Sequence, residues 1–152
     1  CHYALPLFLH GKRGNIINVA GGGSTGPLDH FSCYAASKAA LARFTDTLAS
    51  ELKGTGVTAN AVHPGFVATG FNRNNGAAMT AVMLLARPFA RSPRKGAETM
   101  VWLADSEEVS GMSGGYFLDK RWGMPSGPAQ DSAAASRLWQ VSEEQTRATA
   151  PA

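Results

Sequence analysis

The sequence predicts an α/β fold built on a parallel sheet, and three features carry that expectation. Two short segments rich in β-branched residues flank one long helical segment. Each of the two runs into a glycine-containing loop at its carboxyl end. The length, 152 residues, suits one domain, which at this size buries roughly two thirds of the unfolded chain's surface.

The elements follow in order. Tyr3 to Leu9 is apolar, interrupted by Pro6 and stopped by His10-Gly11, and reads as the tail of a helix that begins upstream. Asn15 to Ala20 (NIINVA), bounded by Gly14 and Gly21, reads as a short buried strand. Gly21 to Pro27 (GGGSTGP) is a loop. From Ser32 to Lys53 the pattern is helical: Leu41, Phe44, Leu48 and Leu52 share one arc, while Arg43, Asp46, Ser50 and Lys53 lie opposite. Gly54 and Gly56 end that helix. Val57 to Val62 (VTANAV) is a second strand, closed by His63-Pro64-Gly65. Strand, loop, helix and strand together make a right-handed βαβ unit.

Phe66 to Arg91 has no strand signal, and a helix is expected within it over Ala77–Ala86. Ser92-Pro93 supplies an N-cap and a first-turn proline for a helix running to Asp105. Gly114 to Leu118 (GGYFL) reads as a last short strand. Gly123 to Pro128 reads as a link to a terminal helical stretch through Leu138, Trp139 and Val141.

Composition narrows the function. With 44% apolar and 16% charged residues, the chain is an ordinary globular one. Ala77–Ala86, its longest mostly apolar stretch, has ten residues, about half of what a membrane helix needs, so no membrane span is expected. The net charge of +3 comes from scattered basic residues rather than a basic stripe, which argues against nucleic acid as a partner. Cys1 and Cys33 are too few for a disulfide framework, so a reducing, cytoplasmic setting is expected. His2, His10 and His30 have no metal-ligand spacing, and no metal site is expected. His63 reads as a structural residue before the Pro-Gly turn.

Two motifs could carry chemistry. Gly21-x-Gly23-x-x-Gly26 matches a phosphate-cradling fingerprint in letters and follows a strand, but Pro27 to Phe31 separate it from the helix that should receive the pyrophosphate. Tyr34-x-x-x-Lys38 opens the long helix. Four residues are one turn and about 40° on a helix, so the two side chains lean the same way. An ammonium beside a phenol favours the phenolate, and such a Tyr can give or take a proton at a carbonyl or alcohol oxygen. The pair sits in the crossover between two parallel strands, near their carboxyl ends, where α/β folds place ligands.

Three blocks, Asn15-Ile-Ile-Asn-Val19, Tyr34-Ala-Ala-Ser-Lys38-Ala-Ala-Leu41 and Val57-Thr-Ala-Asn-Ala-Val-His-Pro64-Gly65-Phe-Val67-Ala-Thr69, are similar in order and spacing to the second half of a short-chain dehydrogenase/reductase. The His-Pro-Gly turn, the Ser-Pro-Arg-Lys-Gly-Ala-Glu segment and Leu138-Trp139 resemble the retinol-dehydrogenase-like branch. The resemblance implies a three-layer Rossmann-type doubly wound parallel sheet, here lacking its N-terminal βαβ half. It divides the chain into residues 1–128, the latter part of a cofactor-binding oxidoreductase domain, and 129–152, a helical extension. The start at Cys1 fits a chain whose beginning lies elsewhere.

Carried over by position, the resemblance implies Tyr34 as catalytic acid/base and Lys38 as the residue that tunes it and holds the nicotinamide ribose of NAD or NADP. It implies Pro64, Gly65, Val67 and Thr69 along the nicotinamide and diphosphate, Val67 through its backbone. Asn18 and Val19 would end the strand beneath the cofactor, and Phe66 to Arg91 would cover a hydrophobic alcohol or carbonyl substrate. The family often forms homo-oligomers through its long helices, so a homo-oligomer is among the expected states.

One position departs from the family. A substrate-orienting Ser is expected 13 residues before Tyr34, and Gly21 stands there. Ser24 is the nearest candidate substitute. Two other readings therefore stay open: a non-catalytic relative that uses the pocket for binding, and a phosphate- or nucleotide-binding module on Gly21 to Gly26.

Overall fold

The computed structural model describes residues 3–26, 28–70 and 76–124, and six separate positions beyond them. Its elements are α1 (Leu5–Gly11), β1 (Gly14–Val19), α2 (Ser32–Glu51), β2 (Val57–His63), α3 (Gly76–Ala86), α4 (Pro93–Asp105), β3 (Tyr116–Leu118) and β4 (Arg121–Gly123). The sheet order is β1-β2-β3-β4. β1 and β2 run parallel with Gly14 opposite Val57 and Val19 opposite Val62. β2 and β3 run parallel with Ala61 opposite Tyr116.

Alternation along the strands sends successive side chains to two helical layers. On one face Ala59 and Val57 meet Leu48, Ala49 and Leu52 of α2, with Leu5 and Phe8 of α1 and Ile16 of β1 packed beside them. Ala61 and Tyr116 continue that face against Ala42. On the other face Val62, Phe117 and Ile17 pack with Leu103, Met100 and Trp102 of α4. Helices cover both faces, so the three-layer, doubly wound arrangement is present.

Four expectations need correction. The sheet is mixed, because β4 pairs antiparallel with β3, Phe117 opposite Trp122. The turn between them puts Asp119 and Lys120 at φ 51° and 59°, the geometry of a two-residue hairpin turn usually marked by Gly; without that mark the strand was not expected, and Gly123 belongs to it rather than to a link. Pro6 does not interrupt α1 but sits in its first turn, where a missing N–H costs nothing. The arc of α2 that faces the sheet is Ala42, Thr45, Leu48, Ala49 and Leu52, and Phe44 is 41% exposed. Small residues at 42, 45 and 49 let the helix approach the strands, whereas a Phe ring would hold it off. Leu138 and Trp139 of the expected terminal stretch lie outside the described residues.

Other details match. Ser92 caps α4 by accepting from the Lys95 N–H at 3.2 Å, with Pro93 behind it. Asn60, buried mid-strand, accepts from Gly115 N and donates to Met112 O, fastening the loop that leads into β3.

Candidate active site

The carboxyl ends of β1 and β2 begin their loops side by side, since Ala20 N–H donates to Val62 O at 2.9 Å. Tyr34 and Lys38 are brought to the first of these ends by the first turns of α2. Lys38 Nζ donates to the carbonyl of Val19 at 2.9 Å, and it stands 5.7 Å from the centre of the Tyr34 ring. The ammonium is therefore fixed at the strand end while facing the π-system of the phenol, an attractive arrangement in itself. Phe31 meets the same ring edge-on, with centroids 6.5 Å apart.

Gly21 closes the group. A β-carbon built on it would lie 3.3 Å from Tyr34 Oη. Its backbone, φ 147° and ψ −168°, falls in a region that essentially only glycine occupies. The position where a hydroxyl side chain was expected thus holds bare main chain beside the Tyr34 phenol.

Ser24 sits elsewhere. Its side chain is fully buried (0% exposed), and its hydroxyl bonds to Gly21 O at 2.6 Å and to Tyr116 Oη at 2.8 Å. Burial pushes the Tyr116 phenol up, opposed in part by the Ser24 hydrogen bond. Gly23, the middle letter of the apparent phosphate fingerprint, packs onto α2: a β-carbon there would come within 2.3 Å of Ala35 Cα. Close helix packing accounts for that glycine.

The second loop carries Pro64, Gly65, Val67 and Thr69. Gly65 takes φ 79° and donates its N–H to His63 Nδ1 at 2.8 Å. His63 is held below the usual imidazole range, first by burial and then by the positive charge of Arg91. Val67 pairs with Arg91 as an isolated bridge, and its side chain packs on Gly96 of α4, where a β-carbon would meet Val67 Cγ2 at 2.6 Å. The side chain of Val67 is thus spent on packing, and its carbonyl accepts from the Thr69 N–H at 2.8 Å. Arg91 in turn forms a two-pronged ion pair with Asp119, one arm at 2.8 Å. That pair holds the Asp119 carboxyl below its ordinary range.

Of the expected site residues, the structure gathers Tyr34, Lys38 and Val19 around Gly21, and sets Pro64, Gly65, Val67 and Thr69 along the adjacent loop. Asn18 turns away into the α2 layer, where its amide donates to Thr45 Oγ1 at 2.9 Å. Sequence reasoning missed Tyr116, whose partner Ser24 lies 92 residues away, and the Arg91–Asp119 pair. Among the described residues no group of three His, Cys, Asp or Glu stands together, and no helix is long and apolar enough to cross a membrane. Grooves of about 390 Å³ along α4 and about 270 Å³ beside β4 are lined by neither Tyr34 nor Lys38.

The family model for short chain dehydrogenases matches residues 1–80. Retinol dehydrogenase 14 of Mus musculus is 40% identical over 119 residues, which cover 73% of this chain and 34% of that protein. Retinol dehydrogenase 12 of Mus musculus is 41% identical over 111 residues, covering 73% and 35%. The chain spans about a third of the length of these curated relatives. Among solved structures, a protein from Beutenbergia cavernae assigned as an NAD(P) dependent gluconate 5-dehydrogenase, with NADP bound at low occupancy, is 30% identical with a TM-score of 0.56, covering 74% of this chain and 46% of that one.

Proposed function

The chain belongs to the short-chain dehydrogenase family, and we propose that it carries the acid/base end of an NAD(P)-dependent oxidoreductase interconverting an alcohol with a ketone or aldehyde. The observation that supports this most is the Lys38 ammonium tied to the Val19 carbonyl and facing the Tyr34 ring at the carboxyl end of β1. The donor set suits the nicotinamide ribose: Lys38 offers N–H groups and Tyr34 a hydroxyl. Pro64, Gly65, Val67 and Thr69 would line the nicotinamide and diphosphate, and Val19 would lie beneath them.

When bound in reduced form, the cofactor supplies a hydride to the carbonyl carbon. Tyr34 Oη–H passes its proton to the carbonyl oxygen, so the C=O π pair becomes the new O–H bond and the phenol is left as phenolate. Lys38 lowers the cost of that negative charge, because a fixed cation beside a forming anion needs no reorganisation as the proton leaves. In the oxidising direction the same phenolate takes the alcohol proton. Ser24, buried on Tyr116, supports the loop rather than touching substrate.

Apolar residues exposed between Phe66 and Arg91, among them Val82, Leu84, Leu85 and Phe89, support a hydrophobic substrate. The names of the relatives point to retinoids among such compounds. Residues 1–128 form the oxidoreductase part in this reading, with 129–152 as an extension. The test mixes the natural protein with NADH or NADPH and a panel of apolar aldehydes and ketones, retinal included, and follows reduced-cofactor absorbance.

Gly21 supports a second reading, a non-catalytic binder, since the carbonyl-orienting hydroxyl is absent from its expected place. Saturable NADPH binding with no turnover of any panel member would favour that reading.

A further inference from the structure

The buried hydroxyls behind Gly21 form a directed chain. Gly21 O can only accept, so Ser24 spends its one proton there, at 2.6 Å. Ser24 Oγ must then accept from Tyr116 Oη–H across 2.8 Å. The Ser24 N–H adds a second hydrogen bond to the same carbonyl at 2.9 Å. Tyr116 belongs to β3 in the core, and is 5% exposed. Gly21 is thereby anchored to the middle of the sheet on one side, while its α-carbon faces Tyr34 Oη on the other. A main chain in a conformation that only glycine tolerates stays put when its surroundings over-determine it, and here they do.

We propose that Ser24 and Tyr116 are positioning residues: through the chain Tyr116 Oη–H to Ser24 Oγ–H to Gly21 O they hold backbone, instead of a side chain, against the Tyr34 hydroxyl. The wall beside the reacting oxygen is then set by a residue of β3, and the volume of a side chain at position 21 is left to the substrate. The inference rests on Tyr34 being the acid/base, and its test must separate failure of that reading from its own.

The chain has three tyrosines, Tyr3, Tyr34 and Tyr116, so a spectrum of ring-labelled ¹³C-tyrosine is simple to assign. In Tyr116→Phe, which keeps the packing and removes only the hydroxyl, the Tyr34 ring signals shift while those of Tyr3 stay. Ser24→Ala shifts them further, and the double variant matches Ser24→Ala, because the chain is already cut. Where turnover is present, kcat falls about 10-fold or more, since an ångström of misplacement costs up to about 100-fold, with the KM for the cofactor unchanged. Tyr34 signals that do not move in Tyr116→Phe overturn the proposal, whether or not the variant is less stable. Should Ser24→Ala fail to fold, Tyr116→Phe alone decides. Absence of turnover in the unsubstituted protein sinks the enzymatic reading, and the Tyr34 signals still decide the positioning one.

Discussion

The loops after β1 and β2 start side by side, yet they are held by opposite means. The first, Gly21 to Thr25, is fastened by neutral hydroxyls in the interior, with Ser24 bridging Gly21 to Tyr116. The second, His63 to Thr69, is tied by main-chain hydrogen bonds of Phe66 and Ala68 to Arg91, whose guanidinium pairs at the surface with Asp119, and by a neutral imidazole accepting from Gly65. A buried neutral chain fails when one atom of it is removed, and salt barely touches it. A surface ion pair is weak and screened, but it responds to salt and pH. The loop beside Tyr34 is therefore built for fixed geometry, whereas the neighbouring loop, which leads into the long segment ending at Arg91, adds to its main-chain bonds an ion pair that solution conditions can loosen.

Substitutions should expose the contrast. Gly23→Ala should cost the most stability, about 3 kcal/mol, because its β-carbon meets the backbone of Ala35 at 2.3 Å and either α2 or the loop must move. Thermal unfolding would read it, and a loss near zero would mean that the first loop is not packed as described. Ser24→Ala should cost about 2 kcal/mol by leaving the buried Tyr116 hydroxyl without its acceptor. That loss should be the same in low and high salt. Arg91→Ala should cost no more than about 1 kcal/mol, the range of exposed ion pairs, and the difference should shrink as salt is added; a salt-independent loss would erase the distinction between the loops.

The smallest effect is a pH dependence. His63 has its folded pKa lowered, so below the ordinary value of 6.5 the unfolded chain binds a proton that the folded one refuses. The stability contribution is full above pH 6.5 and declines as the pH falls from there towards the folded value. Denaturant midpoints across that range should slope in the natural protein and flatten in His63→Gln. A flat profile in both would show that burial and the Arg91 charge do not disfavour the protonated ring.

Much of this was legible beforehand because it is local. The period of α2, the β-branched runs of β1 and β2 and the Ser92-Pro93 cap are each written within a few residues. The Tyr34–Lys38 pair was legible for the same reason: one helical turn brings the two together whatever the rest of the chain does. What escaped reading depends on distance. Tyr116 lies in a three-residue strand with nothing nearby to announce a partner across the sheet, and Arg91 meets Asp119 only because a hairpin turn without glycine folds β4 back. Gly23 stayed ambiguous by its letters, since a glycine needed for close helix packing spells the same as one needed for phosphate. Phe44 misled by periodicity, which assigns an apolar arc but not which part of it the sheet can approach.

The most direct test of the central claim is oxidation of NADPH or NADH by the natural protein with the apolar carbonyl panel, compared with Tyr34→Phe. Removing the phenolic proton should lower kcat by about 100-fold or more, while the unfolding temperature stays as it was. Turnover by Tyr34→Phe at the unsubstituted rate would contradict the assignment of Tyr34 as the acid/base.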